Sequence, residues 1–174
     1  MKKLMLMFIL GLLPGALFAE TVMLLTRMQP AESSKGANVE RFVAVVDGVE
    51  DQFFNSGHII FDAGLPSSDN NESDSVARTD IWAERTAKEG GAAFLLIVDL
   101  GFPDAEKSAP VPSSISYRFL DLKSGSLLAE GKLDTTVPEG DLKSKKPYEL
   151  CFALGQKIAR NAMKKWGLSS YGSS

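Results

Sequence analysis

Cysteine and histidine are almost missing from this chain, with one of each in 174 residues. A lone Cys151 excludes an intramolecular disulfide, so the fold must rest on its core alone. A lone His58 leaves a histidine-based active site short of parts. Such a site also needs a nucleophile, an orienting acid and an oxyanion hole, and no Gly-x-Ser-x-Gly elbow occurs. Glycine and proline are too sparse for a collagen-like or globally disordered chain. Basic charge is also in short supply. With 19 Lys and Arg against 22 Asp and Glu, the chain lacks the clustered cationic surface of a sequence-independent nucleic-acid binder.

The one long apolar run lies at the start. "MKKLMLMFILGLLPGALFA" opens on Lys2 and Lys3, runs apolar from Leu4 to Leu13, breaks at Pro14-Gly15 and closes on small residues. This is the pattern of a signal peptide, with cleavage expected after Ala19. The run is short of the roughly 20 residues of a membrane span, so no stable membrane insertion is expected after cleavage. No cysteine follows it to accept a lipid. Removal of Lys2 and Lys3 takes the formal charge from −3 to −5. The expected organisation is a signal peptide over 1–19, one domain over 20–167 and a frayed tail over 168–174, exported to a bacterial periplasm.

Within the domain, periodicity predicts the elements. "TVMLLTRMQ" (21–29) is an apolar strand. Asn38 is an expected N-cap for a helix with Val39, Phe42, Val43, Val46, Val49 and Phe53 on its apolar stripe. Asp47-Gly48 could instead turn a hairpin, but the stripe continues through it. Gly57 is the expected left-handed stop. "HIIFDAG" (58–64) is a short strand and "SVARTDIWAERTAKEGG" a helix capped by Ser73 or Ser75. "AAFLLIVDLGF" (92–102) is a strand buried on both faces. A hairpin turns at Lys123-Ser124-Gly125. "VPEGDLKSKK" is a polar linker. The last helix starts at Pro147 and ends at Gly167. The order β-α-β-α-β-β-β-α predicts an α/β (α+β) fold, a mixed sheet of four or five strands covered by helices.

The chemistry-bearing candidates each have a plainer alternative. His58 and Asp62 lie on one strand face and could cooperate, yet two residues do not make a catalytic constellation. Asp69, Asn71 and Ser73 match three positions of a calcium loop, but Asp74 replaces its glycine and Asp80 its bidentate glutamate. A solvated acidic loop at a helix start accounts for them. Lys157, Arg160, Lys164 and Lys165 complement a helix C-terminus. Cys151 lies mid-helix on an apolar stripe, the setting of an inert thiol. No catalytic residue, metal or cofactor is therefore expected.

"FLDLKSGSLLAEGKLD" (119–134), with its Asp-x-x-x-Gly turn, resembles the late hairpin of small envelope modules. These include the TolB amino-terminal domain, the curli-secretion lipoprotein and the penicillin-binding-protein activator LpoB. "EGGAAFLLIVDLGF" (89–102) is similar to the step in those modules where a helix ends at glycine and alanine before a central strand. The resemblance covers most of residues 21–166. It implies a non-catalytic adaptor that binds envelope proteins, and this chain departs from the lipoprotein members in having no lipid-acceptor cysteine. Partner-facing residues expected on this basis are His58, Asp62, Phe102 and Pro103. The alternatives are a periplasmic small-ligand carrier, which needs an apolar pocket, and a hydrolase using His58 and Asp62.

Overall fold

The computed structural model describes residues 19–29, 36–63, 75–102 and 110–166. The elements run β1 (Thr21–Gln29), α1 (Ala37–Asn55), β2 (Ile59–Asp62), α2 (Ser75–Glu89), β3 (Phe94–Gly101), β4 (Ser114–Asp121), β5 (Ser126–Leu133), α3 (Glu139–Ser144) and α4 (Pro147–Trp166). One mixed sheet has the order β2-β1-β3-β4-β5. β2, β1 and β3 are parallel, and β3, β4 and β5 are antiparallel. This is the fold class and element order that the periodicity predicts, with one addition. The stretch read as a polar linker holds α3, which begins after Pro138 and ends at an extended Lys145.

Strand alternation divides the core in two. Val22, Leu24, Phe94, Leu96, Val98, Ile115, Tyr117 and Phe119 point to one face and pack under α1 and α4. Met23, Leu25, Leu95 and Ile97 point to the other and pack under Ala83 and Ala87 of α2. β1 and β3 are buried on both faces, which is why they read as unbroken apolar runs.

α1 is turned relative to the predicted stripe. Its buried residues are Asn38, Arg41, Ala44, Val45, Gly48, Val49 and Phe53, while Val39 and Val43 are exposed. The phase is set by close packing on α4. A Cβ on Gly155 would fall onto the Val45 carbonyl oxygen and within 2.9 Å of the Val49 nitrogen, and one on Gly48 onto the Phe152 carbonyl oxygen. The two helices therefore touch backbone to backbone, and Gly48 is a helix-packing position rather than half of a turn.

Helix ends follow local chemistry. Gly36, with φ 61°, occupies the N-cap of α1, not Asn38, whose Oδ1 instead accepts a 3.0 Å bond from Arg41 Nη1. Gly57 takes φ 83° just past the end of α1, as expected of a left-handed stop. The hairpin turn is held by the Asp121 carboxylate, which accepts from Lys123 N and from Ser124 Oγ, both at 2.8 Å. Those bonds keep its pKa below the usual carboxylate value. Gly167, Ser73 and the signal-peptide and tail segments lie outside the described residues. Among the described residues no helix is long and apolar enough to cross a membrane.

Candidate functional site

The two faces of the sheet are covered unequally. α1 and α4 lie on one face, with α4 packed along β5 and β4. On the other face the cluster under α2 draws on β1, β3 and Leu120 of β4, and among the described residues it includes none of β5. The outer face of β4 and β5 is left carrying Ser116, Arg118, Glu130 and Lys132, the last two exposed. With Asp99, Tyr117 and Gly131 they line an open, mixed-polarity cleft of about 450 Å³.

A chain of charges forms the inner wall of this cleft. Arg27 is 7% exposed and donates twice to Asp99, from Nε to Oδ1 at 2.6 Å and from Nη2 to Oδ2 at 2.9 Å. Its Nη1 donates to Asp80 Oδ1 at 2.7 Å, and Asp80 Oδ2 accepts from Arg118 Nη2 at 2.6 Å. Burial alone would lower the Arg27 pKa. Asp99 and then Asp80 outweigh it, so its pKa lies above the ordinary arginine value. The register explains the meeting. Arg27 pairs with Asp99 across β1 and β3, and Arg118 lies one strand further out, opposite Ile97 and Glu130. Asp80 reaches down from α2 and ties that helix to the sheet. Charge-assisted, bidentate bonds of this kind hold groups in fixed geometry.

Sequence reading passed over Arg27, Asp99 and Arg118, and weighed Asp80 only as a position of a calcium loop. The signal was present: Arg27 and Asp99 are single charges of opposite sign inside two apolar strands. A charge in such a place persists only with a partner, and parallel pairing of the two runs supplies it.

The cleft can recognise but is poorly equipped to react. Its inner carboxylates are engaged by guanidinium groups, and the only histidine lies across the sheet. His58 is 8% exposed. Its ring packs edge-on to Phe53 at 6.1 Å and against Trp166 at 5.4 Å, within a group that includes Phe94 and Phe119. Among the described residues its Nδ1 has no hydrogen-bond partner. Burial lowers its pKa, and Glu20 opposes that in part.

The folded imidazole therefore binds a proton less readily than the unfolded one. Stability is complete above the ordinary histidine value of about 6.5 and falls as pH drops through it. The thermal midpoint should decline between about pH 7 and pH 5, and His58→Phe should flatten that decline. An unchanged slope in the variant would assign the dependence to other groups.

The other predicted residues are dispersed. Asp62 ends β2 and faces α1, where burial, then Asp62 and Asp47, raise the Glu50 pKa. The structure gives His58 aromatic neighbours and Glu20 as its charged neighbour, so it does not join His58 to Asp62 as a pair. Phe102, expected as an exposed anchor, is 4% exposed and packs in the main core. The chain continues Gly101's strand one residue further, with Phe102 N donating to Gln29 O at 2.9 Å. That places its ring inside. Pro103 and the first half of the calcium-like loop, residues 69–74, lie outside the described residues. Asp80, at the twelfth loop position, is engaged by the two arginines instead. Cys151 is fully buried, its thiol pushed up to about 11 by burial and only partly offset by Arg41. That is the inert thiol expected. Lys157, Arg160, Lys164 and Lys165 are exposed, and Arg160 Nη1 donates to Gln52 Oε1 at 3.3 Å.

No protein-family model matches the chain, and no curated protein matches its sequence. Solved structures of low sequence identity are similar to it over much of the chain, each at a TM-score below 0.5. The PelC dodecamer subunit from Paraburkholderia phytofirmans is 11% identical, with 83% of this chain and 87% of that one aligned at a TM-score of 0.48. TolB from Acinetobacter baumannii is 11% identical, over 85% of this chain but 28% of its own length, at 0.47. The LpoB C-terminal domain from Salmonella enterica is 16% identical, over 68% and 84%, at 0.40. TolB and LpoB are two of the envelope α/β modules that the late hairpin resembles.

Proposed function

We propose that this chain is an exported, non-catalytic interaction module of the bacterial cell envelope, which docks protein partners on the open half of its sheet. The observation that carries the reading is the unequal cover of the two faces. Among the described residues no helix packs over the outer face of β5, and that surface presents Arg118, Glu130 and Lys132, with Arg118 held by Asp80 and Asp99 by Arg27. A rigid, mixed-charge surface favours orientation and specificity in a protein contact. An enclosed apolar pocket would favour a small ligand, whereas this cleft is open and of mixed polarity. Ser116 has no imidazole on its side of the sheet, which favours binding over hydrolysis. Export is supported by the charged and apolar pattern of residues 1–19.

Site-specific photo-crosslinking in intact cells tests this. A photoreactive residue at Ser116 should give a discrete adduct with another protein, whereas one at Lys164, outside the cleft, should not. Arg118→Glu in the same chain should reduce the Ser116 adduct at least severalfold, because it opposes the charge pattern of the cleft. The same weak background from Ser116 and Lys164 would reject the reading.

A further inference from the structure

We propose that β5 is the seam of a homodimer, pairing antiparallel with β5 of a second copy about a two-fold axis at Gly131. This goes beyond the docking reading and does not depend on it. β5 is the last strand of the sheet, and among the described residues nothing pairs with its outer edge. It is eight residues long, whereas β2, the opposite edge, has four. A long bare edge is a template for another strand.

Charged residues on an edge normally prevent such pairing. Here their placement reverses that effect. Glu130 and Lys132 are exposed and flank Gly131. In an antiparallel pair centred on Gly131, each Glu130 stands opposite the Lys132 of the second copy, so two opposite-charge pairs form on the open face. Directly opposed charges of unlike sign stabilise a ladder, and like charges disrupt it. Any register shifted by two residues along the strand breaks both pairs.

Gly131 puts no side chain at the axis. Its place on the helix-covered face is taken by Tyr117, opposite it on β4, whose hydroxyl would lie 2.9 Å from a Cβ added there. On that face Ala129 of one copy meets Leu133 of the other, a small residue against a large one. The bulge between Phe119 and Leu120 lies toward the turn, away from the proposed axis. The resulting sheet would have ten strands, and the two open clefts would merge across the seam.

Light scattering of the exported protein should give twice its monomer mass at high concentration, with dissociation on dilution. Glu130→Lys and Lys132→Glu should each weaken the dimer about tenfold or more, since symmetry counts each reversal twice. The exchanged variant carrying both substitutions restores the opposite-charge pairs and should dimerise like the parent. Melting curves should be alike for the monomeric forms of all variants, because both side chains are exposed. A monomer at every concentration would overturn the proposal. So would a dimer indifferent to the single reversals, or one not rescued by the exchange. Loss of the Ser116 adduct to other proteins would bear on the docking reading and leave the dimer untouched.

Discussion

Gly155→Ala is expected to destabilise the protein by about 2–3 kcal/mol, although alanine is the better helix former. Intrinsic propensity favours the alanine by about 1 kcal/mol in a helix interior. Packing opposes it more strongly. The added Cβ would meet the Val45 carbonyl oxygen, the Val49 nitrogen and the Gly48 Cα, all backbone atoms of α1 that no rotamer change can move. Overpacking of a filled core costs about 1–3 kcal/mol, and more when backbone must shift. Gly155→Val should go further and leave little cooperative unfolding. Gly48→Ala should behave like Gly155→Ala, since its Cβ meets Phe152 backbone. The paired variant should cost less than the sum, because one widening of the helix pair relieves both. Gly140→Ala, with no atom within 4 Å of the added Cβ, is the control and should leave the melting temperature level or slightly raised. Denaturant unfolding of the five variants checks the ranking. A stabilising Gly155→Ala would mean that α1 and α4 are not in backbone contact.

That helix contact also marks where sequence reading stops. The element order was legible because β1 and β3 are apolar throughout and α1 and α4 carry helical spacing. The angular phase of α1 was not. Its sequence offers two apolar stripes, one through Val39, Val43 and Val46, the other through Ala44, Val45, Gly48 and Val49. A hydrophobicity count favours the first, since valine outweighs glycine and alanine. The second is buried because small residues let two helices approach, and that preference depends on the partner helix. The same limit hid α3, whose six residues carry no apolar period. Phe102 closes the apolar strand predicted over 92–102, and its ring lies in the core with that strand rather than at the surface as an anchor. The site was the least legible part. Arg27, Asp80, Asp99 and Arg118 come from four elements, and only the strand order brings them together. His58, the conspicuous residue of the sequence, packs among rings on the opposite face.

Arg27→Met is expected to cost about 3 kcal/mol at neutral pH, the lower end for breaking a buried ion pair, since Asp80 and Asp99 keep about a fifth of their side-chain surface. The cause is the charge left behind rather than the bonds removed. Asp80 retains Arg118, whereas Asp99 loses both of its bonds from Arg27. An unpaired carboxylate in that setting has lost solvation with no bond to replace it. Arg27→Met with Asp99→Leu removes both charges and fills the space with apolar atoms, and it should recover most of the loss at pH 7. The double-mutant cycle then reports a coupling of about 2 kcal/mol or more between the two residues. The cleft should respond separately. With Arg27 and Asp99 gone, Asp80 still ties α2 to Arg118, so the fold returns while the cleft has lost the Asp99 carboxylate. A refolded double variant that has lost the Ser116 adduct would assign the network to recognition. One that keeps it would confine the network to stability, with Arg118, Glu130 and Lys132 as the recognition surface.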